Sequence, residues 1–253
     1  MDDNSIVCIY ETWYSKEPKI TFTTSSSYSQ ELIFSPEERT ETRGRYKGGI
    51  AVSLNNKIYN SKTLFITKYY ILAMITIKSK SIILCTIYIS PLVDMCIALK
   101  NLSDHLAIVE QEYPTLPLIV SGDFNARISN LNTIDGQALQ LNSDNFYYRE
   151  SLDMTFNSRG NTLMQFMDER GLFVLNGRVL GDFPAQYTYV SNVGKSVIDL
   201  VWGNKAALDL TVDFEVLTIP VQSDHFPVAL ELSNEVDFEI CVNLKEKSLG
   251  NLS

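Results

Sequence analysis

The order of apolar runs predicts an α/β (α+β) protein in which two packed mixed β-sheets are flanked by helices. Runs of strand length rich in β-branched residues recur along the chain. Two amphipathic segments with helical spacing interrupt them, and one short link suits a hairpin. That succession fits packed sheets with many antiparallel neighbours better than a doubly wound parallel sheet.

Ser5 to Tyr10 reads as a buried strand that delivers Glu11 at its tip. Residues 14 to 45 are polar and read as loops with room for one strand. Gly49 to Leu54, Tyr70 to Ile77 and Ser81 to Tyr88 follow as strands, the last two joined by Lys78-Ser79-Lys80. Val93 to Glu112 carries Leu99, Leu102, Leu106 and Val109 at three- and four-residue spacing, which predicts a helix ended by Pro114 and Pro117. Leu118 to Ser121 is the next buried strand. After the polar stretch 128–158, Asn161 to Arg170 puts Leu163, Phe166 and Met167 on one helical face, with Gly171 as its C-cap. Phe173 to Asn176, Ala185 to Val190, Val197 to Trp202, Phe214 to Thr218 and Val228 to Leu232 complete the strands. One domain is expected over 1–235, with a charged tail at 236–253 that frays.

Composition narrows the function. No apolar stretch reaches the ~18 residues of a membrane span, and the amino terminus lacks the basic and apolar regions of a secretory signal. An intracellular location, nuclear or cytoplasmic, is therefore expected. Cys8, Cys85, Cys96 and Cys241 show no zinc-ligand spacing and read as free thiols in a reducing compartment. A net charge of −9 disfavours a classical nucleic-acid binder. It does not exclude a carboxylate site that recovers attraction for phosphate through a bound cation. Arg39, Arg43, Arg45 and Lys47 form a basic cluster just before Gly48-Gly49, readable equally as a solvated loop.

The chemistry concentrates where strands end. In Gly122-Asp123-Phe124-Asn125, the glycine permits a turn and Phe124 points into the fold. Asp123 and Asn125 then face one way and can hold a nucleophilic water and a phosphoryl oxygen. An Asx-type turn is the structural alternative. Asp199 lies inside the apolar run Val197 to Trp202, where an unpaired charge costs several kcal/mol. It therefore needs a fixed partner, and His225 is the obvious one. Asp224 would point elsewhere, toward metal or water. Glu11 could bind a hard cation, and His105 reads as a plain histidine.

The set Glu11-Thr12-Trp13, Arg43 before Gly48-Gly49-Ile50-Ala51-Val52, Tyr88 before Ser90-Pro91, GDFNAR at 122–127, SVIDLVW at 196–202 and SDHFPV at 223–228 resembles the endonuclease/exonuclease/phosphatase superfamily. Arg159-Gly160-Asn161, the run Gly171 to Asn176 and Tyr187-Thr188-Tyr189 make it most similar to the apurinic-like endonuclease domain of non-LTR (LINE-type) retrotransposons. The resemblance covers residues 5 to 232. It implies a four-layer α/β sandwich, a divalent cation (Mg²⁺, or Mn²⁺) and a DNA substrate. It further implies Glu11 and Asp224 as metal ligands, Tyr88 steadying the scissile phosphate, and Asp123 with Asn125 handling the attacking water. Asp199 would orient His225 toward a phosphate oxygen, and Arg43 and Asn161 would contact substrate. A monomer is expected, with a reverse transcriptase in the same polypeptide as a potential partner.

The resemblance also implies a strand ahead of the one bearing Glu11, ending in an asparagine at the site. Here that amino-terminal strand is expected to be missing, which would expose unpaired backbone. A phosphatase of the same superfamily and an inert remnant therefore stand as alternatives to a nicking endonuclease.

Overall fold

The computed structural model describes residues 5–12, 30–35, 48–134, 148–218, 223–233 and 239–242. In chain order the strands are β1 (Ser5–Tyr10), β2 (Gln30–Ser35), β3 (Ile50–Asn55), β4 (Tyr59–Ile66), β5 (Tyr70–Ile77) and β6 (Lys80–Tyr88). Helix α1 (Met95–Glu112), β7 (Leu118–Asp123), helix α2 (Ser158–Glu169) and β8 (Phe173–Val174) follow. The chain continues through β9 (Tyr189–Ser191), β10 (Gly194–Ser196), β11 (Asp199–Gly203), helix α3 (Lys205–Leu210), β12 (Thr211–Val216), β13 (Val228–Leu232) and β14 (Glu239–Val242).

Two mixed six-stranded sheets carry the fold, in the orders β12-β13-β14-β1-β3-β2 and β4-β5-β6-β7-β11-β8, with β9 and β10 a separate hairpin. In the second sheet α1 connects β6 to β7, which run parallel; β7 and β11 are antiparallel. The expected Lys78-Ser79-Lys80 hairpin joins β5 to β6, with Lys78 at φ 54°.

Strand alternation sorts the apolar residues into two large cores, with a small third cluster of Val7, Ile9 and Ala51. Ile82 and Leu84 of β6, Ile119 of β7 and Val201 of β11 meet Ile6, Val52 and Leu230 of the first sheet between the sheets. Ile83, Cys85, Val120 and Trp202 face outward under Leu102 and Leu106 of α1 and Leu163 and Met167 of α2. Strands buried on both faces read as continuous apolar runs, which is why β1, β3, β6 and β7 were legible. Asp94 caps α1 by accepting from the Cys96 amide, and Asn157 caps α2 by accepting from Gly160.

Three expectations are corrected. The charged segment after Glu235 does not simply fray. It supplies β14, which lies between β1 (parallel) and β13 (antiparallel), so the sheet has no gap beside β1. Ile240 is fully buried in the inter-sheet core. The run Ala185 to Val190 is not one strand; Ala185 makes an isolated bridge to Ser151, and Tyr189 onward belongs to the β9–β10 hairpin. Gly122 is not a turn residue but lies inside β7. A Cβ there would stand 1.8 Å from the Ile87 carbonyl oxygen, so only glycine lets β6 and β7 approach. Among the described residues no helix is long and apolar enough to cross a membrane.

Candidate active site

At one end of the sandwich the inter-sheet core turns polar. Tyr10 donates from Oη to the Ser121 carbonyl at 3.0 Å, and Cys8 Sγ lies 3.3 Å from Thr86 Oγ1. Two residues further along β6 and β7, Tyr88 and Asp123 stand side by side, and Asp199 stands opposite Asp123 on β11. All three alternate onto the same face as Ile119 and Val201, toward the first sheet. The first sheet answers with Glu11, which follows β1 at φ 52°, and His225, which precedes β13.

These groups are bonded to one another. Tyr88 Oη donates to Glu11 Oε1. Burial, then the Glu11 charge, holds the Tyr88 phenol well above its ordinary pKa, so it remains a donor. His225 Nδ1 lies 2.9 Å and 3.1 Å from the two Asp199 oxygens. Asp199 is 0 % exposed and His225 6 %, so the charge that the sequence required to be partnered is partnered by the residue named for it. A carboxylate on Nδ1 fixes the proton there and leaves Nε2 as the working nitrogen. The Tyr189 ring packs edge-on against the imidazole at 4.8 Å between centroids.

Asp123 Oδ1 accepts from the Asn125 amide at 2.9 Å, and Asn125 sits at φ 48°. The Asx turn is therefore present, and it fixes the Asp123 carboxylate. The Asn125 side-chain nitrogen donates to the Ile89 carbonyl at 3.2 Å, tying the loop after Tyr88 to the loop after Asp123. Phe124 is buried in the helix-side core, as expected.

Not every candidate joins this cluster. Asp224 is exposed at the rim, and its backbone carbonyl accepts from Val190 at 2.8 Å. Asn161 lies on the exposed side of α2. Arg43 and the basic cluster around it lie outside the described residues. His105 is structural as expected: Tyr70 Oη lies 2.7 Å from its Nδ1, and Phe65 stacks on its ring. Cys8, Cys85 and Cys96 are free thiols, and burial pushes the Cys8 thiol up to about 12.

Several supporting residues had no role assigned from sequence. Thr188 Oγ1 accepts from the Ile198 and Asp199 amides at 3.1 Å each, fixing the start of β11. Asn176 donates to the Asp199 carbonyl and accepts from the Val201 amide. Arg127, the last residue of GDFNAR, pairs with buried Asp153, which also accepts from the Val197 amide. One carboxylate thus bridges the two sequence motifs. Arg159 reaches the loops beside Tyr88 and Asp123. GDFNAR, the run Gly171 to Asn176, the tripeptide Tyr187-Thr188-Tyr189 and the Arg159-Gly160 pair were the sequence signals for these.

The donors facing the cleft suit a hard divalent cation, because carboxylate oxygens dominate them. Ligand atoms of Asp123, Asp199 and His225 lie within 4.8 Å of one another. Beside Glu11, the Thr12 hydroxyl oxygen is buried without a hydrogen-bond partner among the described residues.

Two packed mixed sheets flanked by helices are the architecture of the endonuclease/exonuclease/phosphatase superfamily. The family model described as endonuclease-reverse transcriptase matches residues 82–229, more than half of the chain, and the chain belongs to that family. Solved structures share the fold. The endonuclease domain of TRAS1, a telomere-specific non-LTR retrotransposon, is 20 % identical, with a TM-score of 0.53, covering 80 % of this chain and 78 % of that one. The AP endonuclease LMAP from Leishmania major is 10 % identical, with a TM-score of 0.59, covering 89 % and 77 %. The human Nocturnin catalytic domain with bound sulfate is 15 % identical, with a TM-score of 0.54, covering 90 % and 80 %. No curated protein sequence matches the chain.

Proposed function

We propose that this chain is a divalent-metal-dependent DNA endonuclease of a non-LTR retrotransposon, which nicks one strand of target DNA and leaves a 3′ hydroxyl for reverse transcription. The observation that carries the reading is the aligned row Tyr88, Asp123, Asp199, with His225 bonded to Asp199 and Glu11 to Tyr88.

In-line attack on a phosphodiester builds negative charge on the phosphoryl oxygens, and the site's donors oppose it. Asp123, held by the Asn125 amide, orients the attacking water and takes its proton. His225, with Nδ1 fixed on Asp199, offers Nε2 to a phosphate oxygen. Tyr88 keeps Glu11 in place and steadies the phosphate. Glu11 would hold the cation. A bound Mg²⁺ would supply Lewis-acid stabilisation of the developing charge and offset the acidity of the cleft toward DNA. β14 supports an active enzyme over an inert remnant, because it gives the strand presenting Glu11 a partner on each side. A reverse transcriptase would be the partner within a longer polypeptide.

The test is conversion of supercoiled plasmid to open circle with Mg²⁺, with EDTA and a His225→Ala variant as controls. Metal-dependent nicking that falls more than a hundredfold in the variant is expected. Release of phosphate from small esters without nicking would move the assignment to a phosphatase.

A further inference from the structure

We propose that Arg159 is the positioning residue of this site, a latch that fixes Tyr88 relative to Asp123 and Asn125. Its guanidinium donates to five backbone carbonyls on two separate loops. Nε reaches Asn125 at 2.9 Å and one terminal nitrogen reaches Val93 at 2.7 Å. The other reaches Phe124 at 3.1 Å and both Ile89 and Ser90 at 3.3 Å. The first loop begins right after Tyr88 and the second right after Asp123, and those two residues are register partners on parallel strands. The guanidinium therefore holds both loops where the two site side chains leave the sheet.

The match is one of donor geometry. Five carbonyl oxygens converging on one point need several donors in a plane, and an arginine fork supplies them where a lysine ammonium has three donors on a single point. Removing a donor from each of those oxygens inside the loops would be costly. The latch is also anchored at its own base. Asn157 Oδ1 accepts from Gly160 at 2.7 Å and from the Arg127 amide at 3.3 Å, and the Asn157 amide donates to the Arg127 carbonyl at 3.2 Å. A Cβ on Gly160 would fall 2.0 Å from that same carbonyl oxygen. The first turn of α2 is thus seated directly on the end of GDFNAR, next to the loops that Arg159 reaches. Its charge also lies close enough to Asp123 to interact with it.

The effect on turnover rests on the nuclease reading above; the effect on the loops does not. Arg159→Gln and Arg159→Lys are compared with the wild-type chain by plasmid nicking in Mg²⁺ and by amide hydrogen exchange. Both variants are expected to lower kcat about a hundredfold, the scale of an ångström-level misplacement, with KM within about twofold. Exchange of the Ile89 and Asn125 amides, which donate to the Asp123 carbonyl and carboxylate, is expected to accelerate while β5 amides are unchanged. Full recovery in Arg159→Lys would show that charge alone matters and overturn the latch. Unchanged exchange at Ile89 and Asn125, or a fall in melting temperature with kcat intact, would also overturn it. If the wild-type chain nicks nothing, the nuclease reading fails, and the exchange measurement alone decides the latch.

Discussion

Asp123 and Asp199 stand directly opposite each other on antiparallel β7 and β11, both buried, with the His225 imidazole bonded to Asp199. Like charges so placed repel, and the imidazole against one of them separates their roles. Asp199→Asn would keep the shape and lose the charge that sets the histidine tautomer. It is expected to lower nicking about a hundredfold, at the upper end for loss of such a supporting carboxylate. Steady-state nicking rates check this, and near-normal turnover would remove Asp199 from the mechanism.

Tyr88→Phe deletes the hydroxyl bonded to Glu11 and leaves the ring in the inter-sheet core. Activity is expected to fall by at least about tenfold, while the far-ultraviolet spectrum stays as in the wild type. Loss of stability without loss of activity would make the bond structural only.

The fold's pH response should depend on two buried carboxyls of opposite sign. Burial alone would raise the pKa of Asp153, but Arg127 and the Val197 and Thr155 amides outweigh it and hold it below the ordinary value. Its stabilisation is present above the unfolded pKa, about 3.9, and is lost as pH falls through the folded value. Asp153→Asn should therefore lower the melting temperature at pH 7, and the difference should close in acid. Burial pushes Asp182 up to about 7, against the Gln186 and Gly177 amides and the Arg149 charge. The folded state then holds a proton that the unfolded chain releases, so stability drops from about pH 4 to about pH 7. Asp182→Asn should flatten that drop in melts recorded across the range.

Ile240→Ala removes a fully buried side chain from β14. A loss of about 2–5 kcal/mol is expected by urea denaturation. Truncation after Glu235 strips one ladder from β1 and one from β13. It should cost more than the point variant and abolish nicking, because β1 presents Glu11.

What the sequence disclosed follows from burial. Strands inside the sandwich are apolar on both faces, so β1, β5, β6, β7 and β11 were readable, as was the need of Asp199 for a partner. β4, with Asn60, Ser61, Lys62 and Thr63, is an edge strand whose exposed face reads as loop. β14 is short and set in a charged tail, and only its place between two strands makes it a strand. The bond of Asn125 to Ile89 and the carbonyl cage around Arg159 were hidden for another reason. Both use backbone acceptors, and backbone carries no sequence signature.

The first and last strands described, β1 and β14, are immediate neighbours. A ribosome must therefore deliver residue 242 before the strand bearing Glu11 has its full complement of hydrogen bonds. Formation of the end that presents Glu11 thus waits on the pairing of the two most distant strands described.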